Sequence, residues 1–260
     1  MSEVVTNEIA VVMPYRSNPN RESYVLPLCL RAWLNLKPGK LILVDGSEEK
    51  TDIGIPEVHH LHVPYDGTFN LSFMRNVGGR AAADLGFKFV QMMDSDIFPT
   101  SQNYFEACLS MMTKAHMIRP FVINSAHKVP KFDNLQDKQY LDFLDVDLST
   151  AGAKRYSYST MFQNIDVLKA IHGWDEVFQL WGAEDDDYLN RARQAGFKPA
   201  CLENFRLIHS YHKGDTAIKA KQETDHYVKN CTRWRLGLAR KLPIVRMPDD
   251  WGLYPVPRTE

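Results

Sequence analysis

The sequence lacks the features that mark membrane, secreted or nucleic-acid-coating proteins. Its first residues, MSEVVTNEIAVVM, contain no basic start and no apolar run of about ten residues or more. We therefore expect neither a signal peptide nor a transmembrane segment, and a cytoplasmic protein. The formal net charge of −1 argues against a protein that coats nucleic acid over its whole surface.

Cysteine and glycine are both missing from patterns that would carry chemistry. The 4 cysteines include no CxxC pair, so we expect reduced, buried thiols rather than disulfides or a zinc site. The stretch PYRSNPNR, which follows the first predicted strand, contains no glycine, and this argues against a metal-dependent nucleotidyltransferase with a Gly-rich phosphate loop. The cysteines are Cys29, Cys108, Cys201 and Cys231.

What the sequence does contain is an alternation of short apolar strands and amphipathic helices. This order predicts an α/β fold with a mostly parallel central sheet flanked by helices. We predict one domain over residues 1–213 and a basic helical extension over 214–260 that packs on it. Residues 125–155 are polar and aperiodic, which suggests an excursion or a mobile loop. Predicted strands cover 8–14, 40–47, 57–64, 87–94 and 116–124, and predicted helices cover 21–36, 69–86, 102–115, 183–197 and 215–241.

A pair of carboxylates follows one of the apolar strands. FVQMMDSDIFP, residues 89–99, runs directly into Asp94 and Asp96, and we expect Pro99 to end the strand. Sheets of this kind bind ligands beyond the carboxyl ends of their strands. Two oxygen donors one residue apart suit Mn²⁺ or Mg²⁺, although aspartates are also common in turns.

A second polar cluster lies in HGWDEVFQLWGAEDDDYLNRARQAGF, residues 172–197. It joins Trp174 and Trp181 to four consecutive acids, 184–187. Acids favour helix N-termini, but that preference accounts for one or two of them rather than four. Aromatic faces beside carboxylates are what a sugar site needs. Downstream, RLIHSYHKGD supplies His209 and His212, and an imidazole from a distant strand would complete a Mn²⁺ site.

Several motifs in order resemble the GT-A-fold glycosyltransferases that use nucleotide sugars, most like the beta-1,4-galactosyltransferase and chondroitin-polymerase-type group. The resemblance covers residues 8–213. VVMPYRSNPNR resembles the first strand and turn of that group, and VDGS resembles its base-reading acidic turn. FNLSFMRNVGGRAAADLGFKFVQMMDSDIFP resembles its helix and Asp-x-Asp strand, GWDEVFQLWGAEDDDYLNRARQAGF its acceptor motif, and RLIHSYHK its metal-binding strand.

The resemblance implies a UDP-sugar donor and a divalent cation, Mn²⁺ or Mg²⁺. Asp45 would accept from the uracil imide, and Arg75 would approach the diphosphate or the sugar. The implied metal ligands are Asp94, Asp96 and His209, and His212 is either a diphosphate contact or the ligand in place of His209. The implied donor-binding residues are Pro14, Tyr15, Arg16, Asp45, Arg75, Asp94, Trp181 and His212.

The resemblance also implies the catalytic residues. Asp185 matches the general base and Glu184 would hold an acceptor hydroxyl. We expect Asp186 and Asp187 to raise the pKa of the base and the helix N-terminus to lower it. The reaction would invert the anomeric carbon, and the segment at Trp181 and Gly182 would close over the donor. Ala183 departs from the group, which often has glycine there.

The sequence fits more than one kind of acceptor molecule. The first hypothesis is an enzyme that acts on a saccharide. The alternative is a phage-type enzyme that acts on hydroxymethylated bases in DNA. The basic segment 219–246 carries eight Lys or Arg against two acids, which fits contact with DNA or with a membrane surface, and also a solvated helix face. A further alternative is a non-catalytic sugar-binding protein that keeps the same fold.

Overall fold

The computed structural model describes residues 6–17, 23–64, 68–125, 128–131, 134–145, 154–156, 159–180, 182–210 and 218–253. Trp181 and His212, both predicted donor-site residues, lie outside this part. A short 3-10 turn precedes the first strand. The strands are β1 (Ile9–Tyr15), β2 (Lys40–Asp45), β3 (Val58–His62), β4 (Phe89–Met92), β5 (Ile97–Pro99), β6 (Met117–Asn124), β7 (Lys154–Tyr156), β8 (Met161–Asn164) and β9 (Pro199–His209). The helices are α1 (Val25–Leu34), α2 (Leu71–Asp84), α3 (Tyr104–Met111), α4 (Lys138–Leu144), α5 (Ile165–Ile171), α6 (Glu184–Gln194) and α7 (Ile218–Leu238).

The strands form one mixed sheet in the order β3-β2-β1-β4-β8-β6-β9-β5, with β7 paired to β6. Strands β1 to β4 are parallel to one another, and β8 is antiparallel to both β4 and β6. Because β8 is antiparallel to the strand on each side of it, β6 runs in the same direction as β4. Strand β9 is parallel to β6, so β6 and β9 run in the same direction as β1, β2 and β4. The carboxyl ends of these strands therefore meet at one edge of the sheet.

Helices cover both faces of the sheet, as side-chain alternation along a strand requires. In β1, Ile9, Val11 and Met13 belong to one buried core, whereas Ala10 and Val12 belong to the other. The first core includes α1 and α3, and the second includes α2, α5 and α6. Continuous apolar strands of this kind are typical of sheets that are buried on both faces.

Helix α2 packs unusually close to the sheet. The side chain of Asn70 caps the helix by accepting a hydrogen bond from the Phe73 N–H (3.0 Å), so the helix begins within the predicted range 69–86. A Cβ added at Gly78 would come 2.3 Å from Val12 Cγ1, so only glycine permits this approach. The close packing fixes α2, and with it the position of Arg75 on the same helix.

Several predicted element boundaries are corrected. Strand β4 ends at Met92, and Pro99 does not end it but lies in β5, which is antiparallel to β9. Asp94 and Asp96 thus occupy the turn between two strands. Residues 125–155 are not wholly irregular, because they contain α4 and the start of β7. The four cysteines are free as expected, but Cys201 and Cys231 are only half-buried.

The C-terminal segment folds back onto the body of the sheet domain. Arg246 Nη1 lies 2.9 Å from Asp175 Oδ2 and 2.8 Å from Asp187 Oδ1, and Arg233 Nε lies 2.6 Å from Asp175 Oδ2. These contacts tie α7 and the segment after it to the start of α6. In the described part of the chain, no helix combines the length and apolar character needed to cross a bilayer.

Candidate active site

Most of the predicted site residues lie where strands end at one edge of the sheet. Asp45 is the last residue of β2, Asp94 follows β4, and His209 ends β9. The turn before α6 brings Glu184 and Asp185 to the same region. Tertiary structure thus gathers residues that are scattered over the sequence.

A fully buried arginine organises the catalytic candidates. Arg75 Nη1 donates to Asp185 Oδ1 at 2.5 Å, and Arg75 Nη2 donates to Asp94 Oδ1 at 3.4 Å. Glu184 Oε1 is 3.9 Å from Arg75 Nη1. One guanidinium therefore faces three carboxylates, and it joins α2, the turn after β4 and the first turn of α6.

Aromatic side chains fix Asp185 from the other side. Trp174 Nε1 donates to Asp185 Oδ1 at 3.2 Å, and the indole stacks on Tyr188 with ring centroids 3.9 Å apart. The Tyr188 hydroxyl donates to Gln163 Oε1 at 2.8 Å. Trp174 and Tyr188 are fully buried, so the carboxylate is held by a rigid support.

This environment raises the pKa of Asp185 to about 7. Burial is the largest cause, and the negative charges of Glu184 and Asp94 add to it, while Arg75 and the Trp174 hydrogen bond oppose it. Burial likewise raises the pKa of Glu184. A single cation cannot neutralise three carboxylates, so the cluster favours an extra proton near neutrality.

The four consecutive acids take different positions on α6. Glu184 and Asp185 face the cluster, whereas Asp187 is fully buried, with Arg191 Nε 2.8 Å from its Oδ2. The acids that raise the pKa of Asp185 are Glu184 and Asp94, rather than Asp186 and Asp187 as we expected. The pKa of Asp186 is itself raised by burial, against the opposing charges of Arg119 and Arg193.

A tight turn delivers Glu184 and Asp185 to the cleft. Leu180, Gly182 and Ala183 all have positive φ, at 58°, 112° and 66°. The Gly182 N–H donates to Glu184 Oε2 at 2.8 Å, which closes the turn. The cleft beside it encloses about 210 Å³ and is lined by Leu71, Arg75, Asp94, Ser159, Gly182, Ala183, Glu184, Asp185, Asp186 and Tyr227.

The pairing of β5 with β9 brings together two of the three predicted metal ligands. Ile97 pairs with His209, and the Ser210 N–H donates to the Asp96 carbonyl at 2.9 Å. His209 Nε2 consequently lies 3.4 Å from Asp96 Oδ1. The third, Asp94, turns toward Arg75 and accepts from the Ser159 hydroxyl at 3.1 Å. The described residues contain no group of three or more His, Cys, Asp or Glu already arranged around a metal position.

Asp45 has a structural role in the unbound protein. Its Oδ1 accepts from the Ser47 N–H (3.0 Å), and its Oδ2 accepts from the Thr51 N–H (2.8 Å) and lies 3.1 Å from His60 Nε2. The side chain is fully buried, and these hydrogen bonds lower its pKa against the effect of burial. The predicted contact of Asp45 with a nucleobase stays a prediction.

The other predicted nucleoside contacts lie at the end of β1. Pro14 is buried and pairs with Val44, whereas Tyr15 and Arg16 are half-buried. The Arg16 guanidinium lies 6.0 Å from the centre of the Phe69 ring. These residues are therefore near the predicted ligand edge.

Sequence reasoning missed three side chains of this site. Trp174 was noted as an aromatic but not as a donor to Asp185, and neither Ser159 nor Tyr227 was singled out. Of these three side chains, only Trp174 has a signal in the sequence, because it lies in the same motif as the predicted base, eleven residues before it. Ser159 and Tyr227 reach the cleft through long-range folding that no local pattern records.

Two arginines of the basic segment 219–246 form ion pairs with a buried carboxylate of the same protein. Arg246 is 3% exposed and Arg233 is 29% exposed, and both pair with Asp175. Their charges are neutralised by buried carboxylates, so they contribute little to an external basic surface.

The chain is similar to one family model and to several solved structures. Residues 154–213 match the family model described as the N-terminal domain of galactosyltransferase. Among solved structures, S. aureus TarS (residues 1–349) in complex with UDP-GlcNAc is similar at 15% identity and a TM-score of 0.54, covering 80% of this chain and 59% of that one. GalNAc-T7 with UDP, GalNAc and Mn²⁺ is similar at 13% identity and a TM-score of 0.56, covering 80% of this chain and 45% of that one.

A Drosophila beta1,4-galactosyltransferase 7 catalytic domain in complex with xylobiose also matches, at 17% identity and a TM-score of 0.46, over 84% of this chain and 79% of that one. This chain thus spans less than two thirds of the TarS and GalNAc-T7 structures. The structural likenesses show the GT-A fold, as predicted. With the family match over β7 to β9, they bear out the predicted resemblance and the prediction that the chain is a glycosyltransferase.

Proposed function

We propose that this protein is a metal-dependent, inverting glycosyltransferase that moves a sugar from a UDP-sugar to a hydroxyl group of a saccharide acceptor. The observation that carries the proposal is the position of Asp185. Its carboxylate is held by Arg75 and Trp174 beside an open cleft, with a pKa of about 7. A general base works best when its pKa lies near the working pH.

The two carboxylate oxygens of Asp185 have different tasks in this proposal. Oδ1 is occupied by Arg75 and Trp174, which fix the plane of the carboxylate. In the described part of the chain no hydrogen bond reaches Oδ2, so this oxygen takes the proton of the acceptor hydroxyl. The hydroxyl oxygen then attacks the anomeric carbon from the face opposite the nucleoside diphosphate, which inverts that centre. Glu184, whose Oε2 is held by Gly182, positions the acceptor.

Asp96 and His209 are the residues that fit a divalent cation. They supply a carboxylate oxygen and an imidazole nitrogen within 3.4 Å of each other, a donor set that Mn²⁺ accepts. Asp94 is the third candidate ligand, and a diphosphate would supply further oxygens. A bound cation supplies charge neutralisation for the departing diphosphate. The TarS and GalNAc-T7 structures, one with UDP-GlcNAc and one with UDP and Mn²⁺, support UDP as the nucleotide and a divalent cation as the cofactor.

Polar contacts also hold Asp94, the third carboxylate of the cleft. The Ser159 hydroxyl donates to one oxygen of Asp94 and Arg75 donates to the other. The donor-binding roles of Pro14, Tyr15, Arg16, Asp45 and Arg75 remain part of the proposal, as do the roles of Trp181 and His212. An acceptor in DNA is the less favoured reading, because Arg233 and Arg246 face inward.

Donor binding is tested first with a panel of nucleotide sugars, each with and without Mn²⁺, by thermal shift and calorimetry. We expect Mn²⁺-dependent stabilisation by one UDP-sugar. Stabilisation by none of the nucleotide sugars would overturn the proposal and favour a non-catalytic protein with this fold.

Transfer is then tested with Asp185→Asn, which keeps an oxygen for Arg75 and Trp174 but cannot accept a proton. We expect donor affinity to be unchanged and the rate of transfer to fall by about 10² to 10⁴. Asp84→Asn, an exposed change at the end of α2, is the control and should have no effect. Near-normal transfer by Asp185→Asn would assign the base elsewhere, and retention of the donor's anomeric configuration would exclude inversion.

A further inference from the structure

An exposed aromatic ring of the C-terminal helix lines the candidate active site. Tyr227 of α7 is 42% exposed, and its side chain borders the same cleft as Arg75, Asp185 and Asp186. It lies outside residues 154–213, the part that matches the galactosyltransferase family model. Exposed aromatic side chains at the mouth of a polar cleft are typical of ligand contacts.

One face of α7 is anchored along the loop that leads into the cleft. Asn230, three residues after Tyr227, donates from Nδ2 to the Gln179 carbonyl at 2.9 Å. Arg233, six residues after Tyr227, pairs with Asp175 at 2.6 Å. Residues three or four apart lie on the same side of a helix. Tyr227 therefore extends this anchored face beyond the loop and into the cleft.

Gly182 keeps the Tyr227 ring beside the catalytic turn. A Cβ added at Gly182 would come 2.4 Å from Tyr227 Cδ2 and 2.8 Å from its Cε2, so the ring packs directly on the glycine. Gly182 also donates to Glu184 Oε2. The ring and the carboxylates of Glu184 and Asp185 are thus held in a fixed relation by a single short turn.

We infer that Tyr227 is the platform on which the acceptor sugar stacks, and that the acceptor is a pyranoside with one apolar face. This inference rests on the proposed function. A pyranose presents C–H groups on its faces and hydroxyls at its rim, which matches an aromatic ring bordered by carboxylates. The ring lines the cleft into which Asp185 points, and Asp185 is the group that takes the acceptor's proton. Tyr227 is accordingly a residue that determines acceptor binding rather than donor binding.

The test measures binding of four methyl β-D-pyranosides, those of glucose, galactose, xylose and N-acetylglucosamine, to the protein saturated with UDP and Mn²⁺. Calorimetry gives the affinity, and saturation-transfer NMR reports which sugar protons touch an aromatic ring. For the methyl glycoside that binds, we expect Tyr227→Ala to weaken the affinity by about tenfold or more. Its affinity for UDP should stay within about twofold of that of the native protein.

Two further variants separate stacking from a structural role. Tyr227→Phe keeps the ring and should restore glycoside affinity to within about twofold of the native value. Val228→Ala, at the neighbouring exposed position of α7, is the matched control and should change neither affinity. The inference is overturned if Tyr227→Ala binds the glycoside normally, if it loses UDP affinity to the same extent, or if none of the four glycosides binds the UDP complex. Absence of UDP binding by the native protein would instead contradict the proposed function itself.

Discussion

Arg75 Nη1 lies 2.5 Å from Asp185 Oδ1, and this contact joins two residues that are 110 positions apart in the sequence. The same guanidinium faces Asp94 and Glu184, so one positive charge faces three carboxylates, two of them largely buried. Desolvation and like-charge repulsion both favour a proton on this cluster. The contact therefore links the stability of the fold to the protonation of the candidate base.

The first prediction concerns how stability changes with pH. The pKa of Asp185 is 3.8 in the reference state and about 7 in the folded protein. Between these values the folded state binds a proton that the unfolded state has lost, so the contribution of Asp185 to stability falls as pH rises through this window. From pH 5 to pH 8 we expect this group to cost about 2 to 3 kcal/mol. Asp185→Asn removes that dependence.

Urea unfolding of the native protein and of Asp185→Asn at pH 5 and pH 8 measures this effect. The free energy of unfolding of the variant, relative to that of the native protein, should be higher at pH 8 than at pH 5. Parallel pH dependences of the two proteins would show that Asp185 titrates at its ordinary pKa.

The second prediction concerns Arg75→Lys. An ammonium group keeps one positive charge but cannot bridge two carboxylates as a guanidinium does. Because Arg75 lowers the pKa of Asp185, the weaker interaction should raise that pKa further. The acidic limb of the transfer rate against pH should then move up by about one unit. Arg80→Lys, on the same helix and paired with the exposed Asp84, is the matched control. An unmoved limb in Arg75→Lys would separate Arg75 from the base.

Local patterns predicted the parts of the fold that depend on local physics. The apolar run of β1 and the position of α2 were readable because burial and helix ends leave direct traces in the sequence. The run of acids before Tyr188 predicted the start of α6 for the same reason. The α/β class followed from the order of these elements, and the GT-A fold followed from the resemblance.

The errors all involve long-range contacts. Strand β5 has only three residues, and its partner β9 lies 110 residues later, so no local pattern reveals it. The contacts of Arg75 with Asp185 and Asp94 join residues 110 and 19 positions apart, which no local pattern reveals, and its predicted donor contact stays a prediction. The position of Tyr227 at the cleft and the burial of Arg246 depend on how the C-terminal segment folds back, which composition does not encode.

The third prediction tests the metal ligands. Asp96→Asn and His209→Gln should each abolish the Mn²⁺-dependent part of the stabilisation that UDP gives in a thermal-shift assay, because each removes one of the two adjacent donors. Asp142→Asn, an exposed aspartate of α4, is the control. If both ligand variants keep the full response to Mn²⁺, the cation is held by other residues.

The fourth prediction tests whether the C-terminal segment is part of the same folding unit. Arg246 is almost fully buried between Asp175 and Asp187, so Arg246→Met leaves two buried carboxylates with fewer partners. We expect a loss of about 3 kcal/mol in the free energy of unfolding, measured in urea as a single transition. The exposed Arg240→Met is the control, and it should change stability by less than about 0.5 kcal/mol. Equal stabilities of the two variants would mean that the segment contributes little to the folded domain.

The last prediction concerns Ala183, which stands where the resembling group often has glycine. Ala183 has φ of 66°, a left-handed conformation that costs an L-residue about 1 to 2 kcal/mol. Ala183→Gly removes this strain, while the greater freedom of glycine in the unfolded chain offsets about 0.4 to 1 kcal/mol of the gain. The net effect on the free energy of unfolding should be neutral or stabilising. Ala81→Gly, inside α2, should instead destabilise the protein by about 0.5 to 1 kcal/mol, because glycine there only adds backbone freedom. Urea unfolding of both variants decides the matter: equal losses would mean that the turn before Asp185 carries no left-handed strain.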